Sequence, residues 1–106
     1  MTTRPAATLS NYELTLFVSG ASDISVRAIA NARRLCDAHL PARHRLSVVD
    51  VHDDVAAALR SGVTTMPTLV RNRPLPVRRI AGDLSHTADV LLALDLDADA
   101  APPMGG

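Results

Sequence analysis

The chain has 106 residues, a length that supports one domain. Eleven arginines balance Glu13 and ten aspartates to a formal net charge of +0, so the basic excess of a general nucleic-acid binder is missing. Apolar residues make up 47% but include no Trp, one Tyr and one Phe, so the core must be aliphatic, and a single cysteine excludes an intrachain disulfide.

No stretch approaches the ~18 consecutive apolar residues of a membrane span. The N-terminal run MTTRPAATLSN carries no hydrophobic signal-peptide core. A soluble, cytoplasmic protein with neither nucleic acid nor membrane as partner is expected.

Residues 1–11 are small and polar, without periodicity, and are expected to form a flexible arm. Tyr12–Val18 alternates, with Tyr12, Leu14, Leu16 and Val18 on one face; Phe17 on the other predicts a central strand covered on both sides. Ser19–Asp23 is a turn with Ser22 or Asp23 as helix cap. A helix from about Ile24 to His39 follows, with Ala28, Ile29, Ala32, Leu35, Cys36 and His39 on one stripe, and Pro41 stops it. Arg45–Val51 is the second strand, so the first three elements form a parallel βαβ unit. Asp53 or Asp54 caps a short helix over Val55–Ser61, closed by Gly62.

Pro67 then opens a strand, Thr68–Asn72, as a residue that cannot donate to a sheet ladder should. A turn through Arg73-Pro74-Leu75-Pro76 leads to an antiparallel partner, Val77–Ala81. Gly82 and Asp83 break that strand. Ser85 is the expected cap of a last helix reaching about Leu94, with Leu84, Ala88, Leu91, Leu92 and Leu94 as its apolar set. Residues 97–106 are expected to be a disordered tail.

The order β-α-β-α-β-β-α, with a four-stranded mixed sheet and helices on both faces, resembles the thioredoxin-like α/β architecture. The run Gly62–Val70 resembles its cis-proline loop, which makes a cis Met66–Pro67 bond the expectation; a trans proline opening an ordinary strand fits the local sequence about as well.

The chemistry of that architecture is missing. Thioredoxin-like enzymes place a thiolate at the N-terminus of the first helix, where free N–H groups and the helix dipole lower its pKa. Here that position reads Ser22-Asp23-Ile24-Ser25. Cys36 falls on the buried stripe several turns away and reads as a small apolar core residue. The four histidines form no helical pair and have no neighbouring cysteine, and Asp95-Leu96-Asp97-Ala98-Asp99 lacks the glycine and glutamate of a calcium loop. No catalytic residue, metal or cofactor is expected. Arg71, Arg73, Arg78 and Arg79 cluster on the hairpin. They either discourage edge-to-edge pairing or form a docking surface for an acidic protein partner. No aromatic residue is interleaved for base stacking.

The runs YELTLFVSG, SVRAIANARRL, LSVVDVHDD, TTMPTLV, PLPVRRIAGDLS and VLLALDL together resemble the KaiB family of the bacterial circadian clock, over residues 12–96. The resemblance implies a non-enzymatic regulator that binds a KaiC-like, RecA-type hexameric ATPase and competes there with the KaiB-like sensor domain of a histidine kinase. It also implies two folds from one sequence: a thioredoxin-like state that binds the ATPase, and a ground state that forms a homo-oligomer, with a rearranged C-terminal half. Gly82 and Asp83 are the candidate hinge, because glycine visits φ > 0 cheaply and Asp serves as a turn residue or near a helix N-terminus. Two readings from other classes stand beside this one: a thiol- or glutathione-dependent enzyme that has lost its CxxC pair, and a stand-alone kinase sensor-like module.

Overall fold

Residues 12–94 are described by the computed structural model. The expected arm (1–11), the expected tail (97–106) and the acidic run 95–99 lie outside the described residues. The elements in order are β1 (Tyr12–Val18), α1 (Asp23–His39), β2 (His44–Asp50), α2 (Val55–Arg60), β3 (Thr68–Arg73), β4 (Arg78–Ala81) and α3 (Thr87–Ala93). They match the expected β-α-β-α-β-β-α order. The strands make one mixed sheet in the order β2-β1-β3-β4. β1 runs parallel to β2, antiparallel to β3, and β3 antiparallel to β4.

The interior place of β1 follows from its two apolar faces. Leu14, Leu16 and Val18 pack with Ala28, Ala32, Leu35 and Cys36 of α1, with Val90 and Leu91 of α3, and with Leu94. On the opposite face Phe17 packs with Ala58 of α2, Val63 and Val70. A strand buried on both sides cannot alternate apolar with polar residues, and Phe17 is the residue that breaks the alternation.

Ser22 caps α1: its backbone is extended and its hydroxyl accepts from the Ser25 N–H. Asp54 caps α2, accepting from the Ala57 N–H at 3.0 Å. Gly62 ends α2 with φ +72, the left-handed conformation that a helix C-terminus often requires.

The last helix departs from expectation. α3 starts at Thr87, and Ser85 is not its cap, because the Ser85 N–H is drawn back to Asp83 Oδ1 at 3.0 Å. Its inward residues are Val90 and Leu91, followed by Leu94, while Leu92 is 76% exposed and Ala88 is also outside. At 3.6 residues per turn one face cannot hold Leu91, Leu92 and Leu94 together.

Candidate functional site

The N-terminus of α1 has its hydroxyls committed to structure. Ser25 is 1% exposed. Its Oγ accepts from the Ser22 hydroxyl at 3.0 Å and from the Ser19 N–H at 3.3 Å. Ser22 Oγ in turn accepts from the Ser25 N–H at 3.3 Å. These bonds satisfy donors that a helix start leaves orphaned. Cys36 stands about three turns further along α1. Burial first, and the adjacent Asp37 carboxylate second, push its thiol up to about 11. A thiol so placed is inert at neutral pH.

Sequence reasoning missed one polar pair, Ser19 Oγ and His52 Nε2, 3.1 Å apart and exposed. No short-range signal could have found it, because the partners are 33 residues apart and meet only through parallel pairing of β1 with β2. Asp50 takes the backbone N–H of His52 at 2.9 Å rather than its ring, so that carboxylate does not orient the imidazole as in a catalytic triad. That N–H, helped by the Gly20 N–H and the His52 charge, holds the Asp50 carboxyl below the usual range against partial desolvation. Among the described residues no group of three His, Cys, Asp or Glu side chains is placed to hold a metal.

The four candidate arginines do not share one surface. Arg71 is 2% exposed, and the expectation that it presents itself to a partner is corrected. Its Nη1 donates to the Leu94 carbonyl and its Nη2 to the Pro76 carbonyl, the latter at 2.8 Å. It ties the chain end of α3 to the proline turn from inside. Arg73, Arg78 and Arg79 are exposed. Arg73 lies in register opposite Glu13, Arg78 opposite Arg71, and Arg79 opposite Val70. Successive strand residues point to opposite faces, so Arg78 and Arg79 project to different sides of the sheet. Arg79 lies on the α2 side, where its Nε donates to the Ser61 carbonyl at 2.6 Å.

Pro67 is buried, and Met66–Pro67 is cis, as are Arg73–Pro74 and Leu75–Pro76. The Gly82 N–H donates to the Pro67 carbonyl at 2.9 Å, joining the proline loop to the candidate hinge. In this segment Gly82 has φ +110 and Leu84 φ +66, with Leu84 buried. Between them Asp83 is gripped by α1. Asn31 Nδ2 donates to its carbonyl at 2.8 Å, and Arg27 Nε lies 3.5 Å from its carboxylate. Hydrogen bonds from Ser85, side chain first and backbone second, outweigh slight desolvation and hold the Asp83 carboxyl below the usual range, with Arg27 adding to the effect.

Sheet order, helix placement and the proline loop define a thioredoxin-like domain whose first-helix site carries serines instead of thiols. Solved structures agree on the fold. The N-terminal domain of Synechococcus elongatus SasA superimposes with a TM-score of 0.67 at 20% identity, covering 92% of this chain and 96% of that one. Mitochondrial thioredoxin 3 of Saccharomyces cerevisiae gives 0.66 at 21% identity, covering 88% and 86%.

The sequence narrows the class. The KaiB domain matches over residues 15–96. Circadian clock protein KaiB3 of Synechocystis sp. is 37% identical over 83 residues, which cover 78% of this chain and 81% of that protein. The circadian clock oscillator protein KaiB of Synechococcus elongatus is 39% identical over 85 residues, covering 80% and 83%. This chain belongs to the KaiB family. Among its described residues no helix is long and apolar enough to cross a membrane.

Proposed function

We propose that this chain is a non-enzymatic, cytoplasmic regulatory adaptor that binds a KaiC-type RecA-like ATPase in its thioredoxin-like state. In this reading it competes for that ATPase with the KaiB-like sensor domain of a histidine kinase. It reaches the binding state from a self-associating ground state by refolding its C-terminal half about Gly82 and Asp83. The observation that carries the reading is the family match along most of the chain, to relatives that are circadian clock proteins. The chemistry supports it: the α1 hydroxyls are spent on capping and Cys36 is buried, which disfavours a thiol- or glutathione-dependent enzyme. The hinge supports it as well, since two positive φ values within three residues make a segment whose conformation depends on the tertiary contacts around it.

The test is co-precipitation of the purified chain with a KaiC-type ATPase, with ATP, with ADP and without nucleotide. It is then repeated in the presence of the isolated kinase sensor domain. Nucleotide-dependent capture that the sensor domain displaces is expected. No capture in any nucleotide state overturns the proposal, and capture that the sensor domain leaves unchanged overturns the competition.

A further inference from the structure

Between the loop that follows α2 and the strand β4 lies a cleft of about 190 Å³, lined by Gly62–Thr65, Thr68, Arg79 and Ala81. No carboxylate lines it. Its one charged group is Arg79, and the way that side chain is held identifies what the cleft accepts. The Nε–Ser61 bond of 2.6 Å fixes one edge of the guanidinium against the chain. Gly62 lets the group lie flat there: a Cβ on that residue would come 3.0 Å from Nη2 and 3.3 Å from Cζ. The two terminal amino groups then form the free edge, and among the described residues neither has a hydrogen-bond or ion-pair partner. Nearby donors are also available. The Thr68 hydroxyl is spent on the Thr65 carbonyl at 2.6 Å, but the hydroxyls of exposed Thr64 and Thr65 have no partner among the described residues.

Size and charge narrow the occupant. The space falls below the ~300 Å³ at which small-molecule sites begin and is open to solvent, so it suits one end of a larger molecule. A carboxylate is planar and singly charged, and the free edge of a guanidinium meets its two oxygens in a bidentate pair. A phosphate monoester can pair with the same edge, but the one cation of the cleft balances only half of its charge near −2.

We infer that this cleft anchors a single Asp or Glu side chain presented by an acidic segment of the partner protein. The inference rests on the docking function proposed above and assigns the directed contact to Arg79. Thr64 and Thr65 donate to the same carboxylate, and Gly62 keeps the guanidinium in place.

The full chain is titrated, with NMR detection of its amides and Arg79 Nε–H, using capped five-residue peptides that are identical except for a central Glu, Gln or phosphoserine. Saturable shifts at Gly62, Thr64, Thr65 and the Arg79 Nε–H are expected with the Glu peptide only. They should vanish in Arg79→Gln, fail to return in Arg79→Lys, and persist in Arg73→Gln, which changes the net charge equally. Equal response to the Gln peptide, full rescue by Lys, or loss in Arg73→Gln overturns the site. Tighter binding of the phosphoserine peptide overturns the choice of carboxylate. In parallel, Arg79→Gln should weaken capture of the KaiC-type ATPase about tenfold and Arg73→Gln less than about twofold. The peptide arm needs no ATPase, so an absent complex with the wild-type chain counts against the docking function, while the peptides alone decide the cleft.

Discussion

Gly82→Ala isolates the backbone cost of the segment proposed as a hinge. An ideal Cβ at Gly82 meets nothing within 4 Å, so the substitution adds no clash, and its whole effect comes from φ +110. That angle lies well outside the left-handed region near +50 to +70° that L-residues tolerate. Holding an alanine there costs about 1–3 kcal/mol, and the smaller unfolded ensemble of alanine relative to glycine does not offset it at an incompatible position. Gly20 is the internal control: its added Cβ also meets nothing within 4 Å, but its φ of +65 falls inside the tolerated region. Urea unfolding of the wild type and both variants reads the difference. With m of roughly 1–2 kcal/mol/M, Gly82→Ala should lower the midpoint by about 1 M, and Gly20→Ala by less. If a second fold is populated, heteronuclear NMR at several protein concentrations should also show Gly82→Ala moving population away from the thioredoxin-like state. A midpoint equal to wild type, or a smaller loss than in Gly20→Ala, would refute the assignment of strain to the hinge.

Three further outcomes follow from the structure. Arg71→Leu removes the donors to the buried Leu94 carbonyl and the part-buried Pro76 carbonyl, at about 1–3 kcal/mol for the buried acceptor left unmade, whereas exposed Arg73→Ala should stay within about 0.5 kcal/mol; denaturant titration separates them. Cys36 should react with a disulfide reagent at pH 8 only as fast as the protein opens, because its thiol is buried and raised to about 11; labelling as rapid as in a small thiol would contradict its placement. The depressed Asp83 carboxyl binds its proton less readily folded than unfolded, so its contribution is full above the unfolded value near ~3.9 and is lost as pH falls through the lower folded one. Asp83→Asn should therefore flatten the fall of stability below about pH 4, and an unchanged acid slope would show that the carboxyl is not linked to folding.

Much of this protein was legible in the sequence because much of its order is local. Alternation in Tyr12–Val18, broken by Phe17, was enough to place β1 inside a two-sided sheet. The Ala28–Cys36 stripe defined the buried face of α1. Capping chemistry left only Ser22 or Asp23, and Asp53 or Asp54, as helix starts, and the structure selects Ser22 and Asp54 by hydrogen bonds to Ser25 and Ala57. The last helix was less legible, since Ser85 is an equally good cap or turn residue and the choice belongs to Asp83, which α1 holds through Asn31 and Arg27.

The arginines mark the limit. RNRPLPVRR reads as one basic cluster, because charge in a sequence carries no direction. Only the tertiary structure buries Arg71, where carbonyls from Leu94 and Pro76 offset its desolvation, and only strand pairing sends Arg78 and Arg79 to opposite faces. The contact between Arg79 and Gly62 joins residues 17 positions apart. It exists because α2 ends in a left-handed glycine beside an edge strand, a juxtaposition set by the packing of helix on sheet and written in neither segment alone.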